Sequence, residues 1–185
     1  VKADGSVTDA QRNETAVRVA ILTASDRGAA GQRDDLSGKV IMEMVQEQGW
    51  QVVSYGVVPD DRTLLKAELQ RLADEVKASL ILTTGGTGLG PRDFTPEATL
   101  DVIHKEVPGL AEAMRQESMK KTPHAMLSRA VCGVRGESLI VNLPGSPRAV
   151  RECLEIIIPA IPHAAKLLRG AVADCGLPDG SREPE

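Results

Sequence analysis

Aromatic side chains are almost missing from these 185 residues, which hold one Trp, one Tyr and one Phe, at Trp50, Tyr55 and Phe94. A chain so poor in flat side chains offers no stacking platform for single-stranded nucleic acid. Its formal charge of -4 also withholds the basic field that a nucleic acid or an anionic membrane would require. Cysteine is scarce too: Cys132, Cys153 and Cys175 are odd in number, widely spaced and never in a CxxC pair. That excludes a disulfide framework and a structural zinc site, and leaves buried or incidental thiols. The three histidines, His104, His124 and His163, are scattered, so neither a His-metal cluster nor a Ser-His-Asp triad is supported, and solvated or helix-end positions suit them. There is no apolar run of membrane-spanning length and no signal-peptide core, so a soluble, cytoplasmic protein is expected.

What is plentiful is aliphatic. The hydrophobic share of 42% is nearly all Ala, Val, Ile and Leu, which suits a β-branched parallel sheet covered by helices. The length suits one domain with one well-buried core. Residues 1–16 and 171–185 are polar and aperiodic and read as tails flanking a domain at 17–170. Within it, residues 17–23, 50–58 and 80–83 read as strands. Residues 36–48 and 61–77 read as amphipathic helices, with stripes at Leu36, Val40, Ile41, Met44, Val45 and at Leu64, Leu65, Leu69, Leu72, Val76. This βαβαβ order predicts the α/β class with a parallel sheet. Further helices are expected at 96–104 and 108–120, β-rich runs at 130–134 and 138–142, and a closing helix at 147–168 that Pro159 and Pro162 should kink or split. Gly136-Glu137 between the β-rich runs suggests a hairpin, hence one antiparallel strand in a mostly parallel sheet.

In an open α/β sheet, ligands bind where the carboxyl ends of the parallel strands share one rim. Four loops converge there: Ser25-Asp26-Arg27-Gly28, Pro59-Asp60-Asp61, the loop Thr84-Gly85-Gly86-Thr87-Gly88, and Pro144-Gly145-Ser146-Pro147. Taken singly each has a plain explanation, Asp35 and Asp61 as helix caps, Asp26 as a turn residue. Together they point to a site. Gly85, Gly86 and Gly88 permit the dihedrals that aim successive amides at one anion, with the Thr84 and Thr87 hydroxyls nearby. The loop is neither a Walker sequence nor the GxGxxG dinucleotide fingerprint, since Gly86-Thr87-Gly88-Leu89-Gly90 is one residue short. Arg92 and Asp93 flank it, and Thr95-Pro96-Glu97 reads as a helix start with Thr95 as cap. Asp60 and Asp93 end different strands on the same rim and could share one hydrated magnesium ion, the alternative being that Asp60 caps the helix near Asp61.

These motifs resemble, in order and across about residues 17–170, the Mog/MoaB-type molybdenum cofactor proteins and the G domain of gephyrin. The resemblance rests on Leu22-Thr23-Ala24-Ser25-Asp26, Asp35-Leu36-Ser37-Gly38, Val58-Pro59-Asp60, the glycine loop with Pro91-Arg92-Asp93-Phe94-Thr95-Pro96-Glu97, Met126-Leu127-Ser128-Arg129 and Asn142-Leu143-Pro144-Gly145-Ser146-Pro147. It implies a three-layer α/β/α sandwich, a homotrimer, a molybdenum-insertase partner, and magnesium-dependent adenylylation of molybdopterin by ATP with release of pyrophosphate. It carries the acidic pair over to Asp60 and Asp93. It also implies that Gly85 to Gly88, Ser118, Ser128 and Pro144 to Pro147 line the pterin and nucleotide pocket, with Asp26 and the Asp35-Leu36-Ser37-Gly38 turn at the rim.

The nucleophile implied is molybdopterin's own phosphate, largely dianionic at neutral pH because its second pKa is about 6, so no strong general base is needed. Asp60 and Asp93 then serve as metal ligands rather than proton acceptors, with Arg92 a flanking cation. A rival reading is a non-catalytic carrier of molybdopterin. A second is the competence/damage-inducible type of protein acting on nicotinamide nucleotides, whose loop reads Gly-Gly-Leu-Gly-Pro-Thr and disagrees with the one here. The third, an insertase module, normally belongs to a much longer chain.

Overall fold

Arg18–Ala24 forms the first strand, β1, and its alternation sets the architecture: Val19 and Ile21 face one side, Ala20 and Leu22 the other, and all four are fully buried. A strand buried on both faces needs helices on both. The computed structural model describes residues 17–170, and the expected tails at 1–16 and 171–185, with Cys175, lie outside the described residues. Gln51–Val58 (β2), Leu80–Thr84 (β3), Lys105–Glu106 (β4), Cys132–Arg135 (β5) and Ser138–Leu143 (β6) complete a six-stranded sheet in the order β2-β1-β3-β6-β5-β4.

The strands β2, β1, β3 and β6 are parallel, and β5 runs antiparallel to β6 through a tight hairpin in which Arg135 pairs with Ser138 and Gly136 takes φ +55°. The expected single reversal is therefore present, since β4 reverses again against β5. Over one face lie α2 (Leu36–Glu47), α5 (Pro108–Met119), α6 (Pro147–Ile157) and α7 (Ile161–Leu168), which contribute Ile41, Met114, Leu154 and Ile161 to the core there. Over the other lie α3 (Arg62–Asp74) and α4 (Thr95–Leu100), with Leu65, Leu69, Leu72 and Ala98. A single turn, α1 (Asp26–Ala29), follows β1. Each fully buried Leu or Ile contributes about 1.5–3 kcal/mol, so both layers are held chiefly by aliphatic burial. Among the described residues no helix is long and apolar enough to cross a membrane.

The helix after the glycine loop departs from expectation. The helix expected to run to His104 ends at Leu100, because the His104 amide is claimed by the Val134 carbonyl at 2.7 Å and the Val107 amide by the Cys132 carbonyl at 2.8 Å. Edge pairing overrides the apolar spacing of Val102 and Ile103. The closing helix is split as expected: α6 stops at Ile157, a 3-10 turn Ile158–Ala160 holds Pro159, and Pro162 opens α7.

The chain leaves β1 toward β2 on one side and returns with β3 on the other. This reversal opens a crevice at the carboxyl ends of β1 and β3, the favoured place for a ligand in such a sheet.

Candidate functional site

The loop from β3 to α4 fills that crevice. Gly85 takes φ +88° and Gly86 φ +61°, and a Cβ on Gly85 would sit 2.3 Å from the Ala24 carbonyl oxygen, so only glycine fits between β1 and β3 here. Thr84 donates its hydroxyl to the Pro144 carbonyl at 2.7 Å, tying this loop to the one after β6. Thr95 is not the helix cap expected for it. It is the first residue of α4, behind Phe94, and its hydroxyl donates instead to the Gly85 carbonyl at 2.9 Å while its amide reaches Gly86.

Asp60 does not cap α3. Asp61 does, accepting from the Leu64 amide at 2.9 Å, which frees Asp60 for the crevice. Asp26 and Asp60 exchange backbone bonds: the Asp26 amide donates to Asp60 Oδ2 at 3.0 Å and the Asp60 amide to Asp26 Oδ1 at 3.1 Å. Arg92 reaches over the same pair, donating to Asp26 Oδ1 at 2.7 Å and to the Asp60 carbonyl at 3.2 Å, so its guanidinium clamps two loops rather than standing free beside the glycines. Asp93 Oδ2 accepts from the Gly90 amide at 2.8 Å. Burial raises the Asp60 carboxyl above its ordinary value and the charges of Asp26 and Asp93 push the same way, against the opposing pull of the Asp26 amide and Arg92. Asp93 is thus close enough for Asp60 to feel its charge.

Across the crevice, Asp35 caps α2 by accepting from the Gly38 amide at 2.8 Å on Oδ1, while Oδ2 accepts from the Thr23 hydroxyl at 2.6 Å and the Tyr55 hydroxyl at 2.7 Å. Burial, with this bond to Asp35, pushes the Tyr55 hydroxyl up to about 12. Ser37 donates to the Gly145 carbonyl at 2.8 Å, so the start of α2 is pinned to the Pro144–Pro147 loop. Ser25 and Ser146 are caps of α1 and α6.

Two cavities open on either side of the glycine loop. The first, about 200 Å³ and polar, is walled by Ser25, Arg33, Asp35, Ser37, Thr84, Gly85, Gly145 and Pro147. The second, about 280 Å³ and mostly apolar, is walled by Thr87, Gly88, Arg115, Ser118, Ser128 and Pro144. Part of the set expected to form one pocket is therefore divided between two chambers on either side of that loop. Asp26, Gly38, Asp60, Gly86, Arg92 and Ser146 line neither, and Asp93 opens onto a third space of about 320 Å³ with Arg62, Phe94 and Glu97. Among the described residues no three His, Cys, Asp or Glu side chains gather in a metal-holding group.

Sequence reasoning missed Arg33 and Arg115, the cations of the two chambers, and the role of Asn142 within its motif: its amide donates to Thr83 Oγ1 at 3.0 Å and Thr99 Oγ1 at 2.8 Å and so locks β6 to β3 and α4. It also missed the work of Arg129, although the motif holding it was noticed. The signal for each is a long-range contact that no local spacing reveals. All three histidines are exposed, and Cys132 and Cys153 are buried, as expected.

Residues 20–163 match the family model described as "Probable molybdopterin binding domain". A Helicobacter pylori protein named molybdopterin adenylyltransferase is 46% identical over 156 residues, spanning 83% of this chain and 89% of that one. Among solved structures, the molybdopterin biosynthesis enzyme MoaB of Thermus thermophilus superposes with a TM-score of 0.79 at 51% identity, over 83% of this chain and 97% of that one. The Mog protein of Mycobacterium ulcerans gives a TM-score of 0.77 at 39% identity, over 84% and 98%.

Proposed function

This chain belongs to the molybdopterin-binding domain family, and on that premise we propose that it is a molybdopterin adenylyltransferase that uses ATP and magnesium in molybdenum cofactor biosynthesis. The observation that carries the chemistry is the state of two carboxylates. Asp60 and Asp93 each engage one oxygen, Oδ2, with a backbone amide, and among the described residues no donor reaches either Oδ1. Two hard oxygens on one rim, beside the glycine loop, suit magnesium, which prefers one or two carboxylates with water and phosphate oxygens in the remaining places. An ion held there supplies neutralising charge between two anions.

The rest is positioning by the chain's own groups. The mostly apolar chamber of about 280 Å³, with Arg115, Ser118 and Ser128, has the room and surface for the pterin. The polar chamber with Arg33 and the Ser37 and Thr84 hydroxyls faces the nucleotide. On this reading the two phosphates meet at the loop between the chambers, Gly85 to Gly88. There a phosphate oxygen of molybdopterin forms a bond to the α-phosphorus of ATP, the bond from that phosphorus to the bridging oxygen breaks, and pyrophosphate leaves with the electron pair. Asp60 and Asp93 take up no proton, and catalysis consists of alignment and charge compensation. The reading brings with it a homotrimer, a cytoplasmic setting and transfer of product to an insertase partner, each taken from the family resemblance.

Incubating the purified protein with ATP, magnesium and molybdopterin tests it. The expected result is pyrophosphate released in step with adenylylated pterin. Tight pterin binding without pyrophosphate would instead identify a carrier.

A further inference from the structure

We infer that Arg129 is the positioning residue that sets Asp93 against Asp60, an inference that rests on the adenylyltransferase reading. The segment carrying Asp93 is weakly held by its own bonds. Its turn closes on itself, with the Asp93 amide donating to the Gly90 carbonyl and the Gly90 amide to Asp93 Oδ2, and Leu89, Gly90, Pro91 and Arg92 are all exposed. One outward tie is the Arg92–Asp26 pair, but its side chains are 62% and 44% exposed, and ion pairs in that setting add little.

Arg129 provides the firm ties. Its Nε donates to the Gly88 carbonyl at 2.7 Å, its Nη2 to the Asp93 carbonyl at 2.5 Å, and its backbone amide to the Thr87 carbonyl at 3.0 Å. Its Nη1 pairs with Glu97 at the start of α4. With its side chain 34% exposed, the guanidinium joins Gly88 and Asp93 to the helix that follows, while the main-chain amide of the same residue holds Thr87. Only a planar fork can hold two carbonyls and a carboxylate at once, and a lysine ammonium on a flexible stem cannot reproduce that geometry. Arg129 is thus what fixes the distance from the glycine amides to the Asp93 carboxylate.

Arg129→Lys tests the inference, with Arg135→Lys as the control. Arg135 likewise grips a carboxylate, Asp74, and a carbonyl, that of Val102, but on β5 away from the crevice. In Arg129→Lys we expect kcat to fall about 100-fold with KM for ATP and molybdopterin changed by less than about threefold, since misplacing a reacting group by about an ångström costs that much. We expect partial recovery of Arg129→Ala by added guanidinium ion. Binding of Mn(II) with ATP, followed by electron paramagnetic resonance without molybdopterin, should weaken about tenfold in Arg129→Lys and stay unchanged in Arg135→Lys. A purely structural Arg129 would lower the melting temperature of both variants alike while kcat and Mn(II) affinity stayed at wild-type values, and that result overturns the inference. Wild-type protein that releases no pyrophosphate defeats the adenylyltransferase reading instead, and the Mn(II) comparison then still decides the role of Arg129.

Discussion

Two corners of the same crevice use their carboxylates in opposite ways. At the start of α2, Asp35 spends both oxygens on three donors from Thr23, Gly38 and Tyr55. In the loops that follow β2 and β3, Asp60 and Asp93 each spend one oxygen on an amide and keep the other unpaired, although the charge of Asp93 acts against that of Asp60. A saturated carboxylate holds structure, whereas a half-used pair under mutual repulsion is arranged for a cation. The comparison separates residues that shape the chamber from residues that meet the substrate.

The largest expected effect falls on the second corner. Asp93→Ala should reduce turnover about 1000-fold while molybdopterin affinity, measured by equilibrium titration, moves by less than about threefold. Near-normal turnover would remove Asp93 from the mechanism and erase the contrast. Gly85, which packs on β1 between the two corners, comes next. Gly85→Ala forces a Cβ against the Ala24 carbonyl at a positive φ and should cost about 3 kcal/mol in denaturant unfolding. Asp35→Ala should cost about 2 kcal/mol through the lost cap and two stranded hydroxyls, with turnover per folded molecule within a few-fold of wild type. A collapse of turnover at full stability would move Asp35 into the substrate-contacting set.

The smallest effect concerns Asp60 and pH. Its carboxyl titrates higher in the folded than in the unfolded chain, so the folded state binds more protons between the ordinary and the raised value, and stability falls as pH rises through that window. Asp60→Asn removes the fall. Without divalent ions the variant should melt above wild type at pH 7, and the gap should close below about pH 4, where both states of the wild-type carboxyl are protonated. A variant less stable than wild type at neutral pH would show that Asp60 is held by its neighbours rather than strained against them.

Much of the fold was legible in the chain. Aliphatic runs buried on both faces marked β1 and β3, Gly136 marked the hairpin, and Pro159 and Pro162 marked the break before α7, because each acts through local backbone chemistry. The two-residue strand β4 was not legible, since Val102 and Ile103 continue a helical spacing and only the distant carbonyls of Val134 and Cys132 draw the chain into the sheet. The site divides the same way. The glycine loop and its acidic neighbours announce themselves by residue type. Arg92 bridging to Asp26, Thr95 turning from cap to loop anchor, and Arg129 gripping three carbonyls depend on contacts across 10 to 66 positions, which no local pattern encodes.

The most direct test of the paired carboxylates is a crystal structure of the protein soaked with ATP and magnesium. The account predicts the triphosphate against the Gly85 to Gly88 amides and one ion within about 2.0–2.1 Å of Oδ1 of both Asp60 and Asp93. An ion bound to the phosphates but away from both carboxylates, or a triphosphate seated outside the glycine loop, would contradict it.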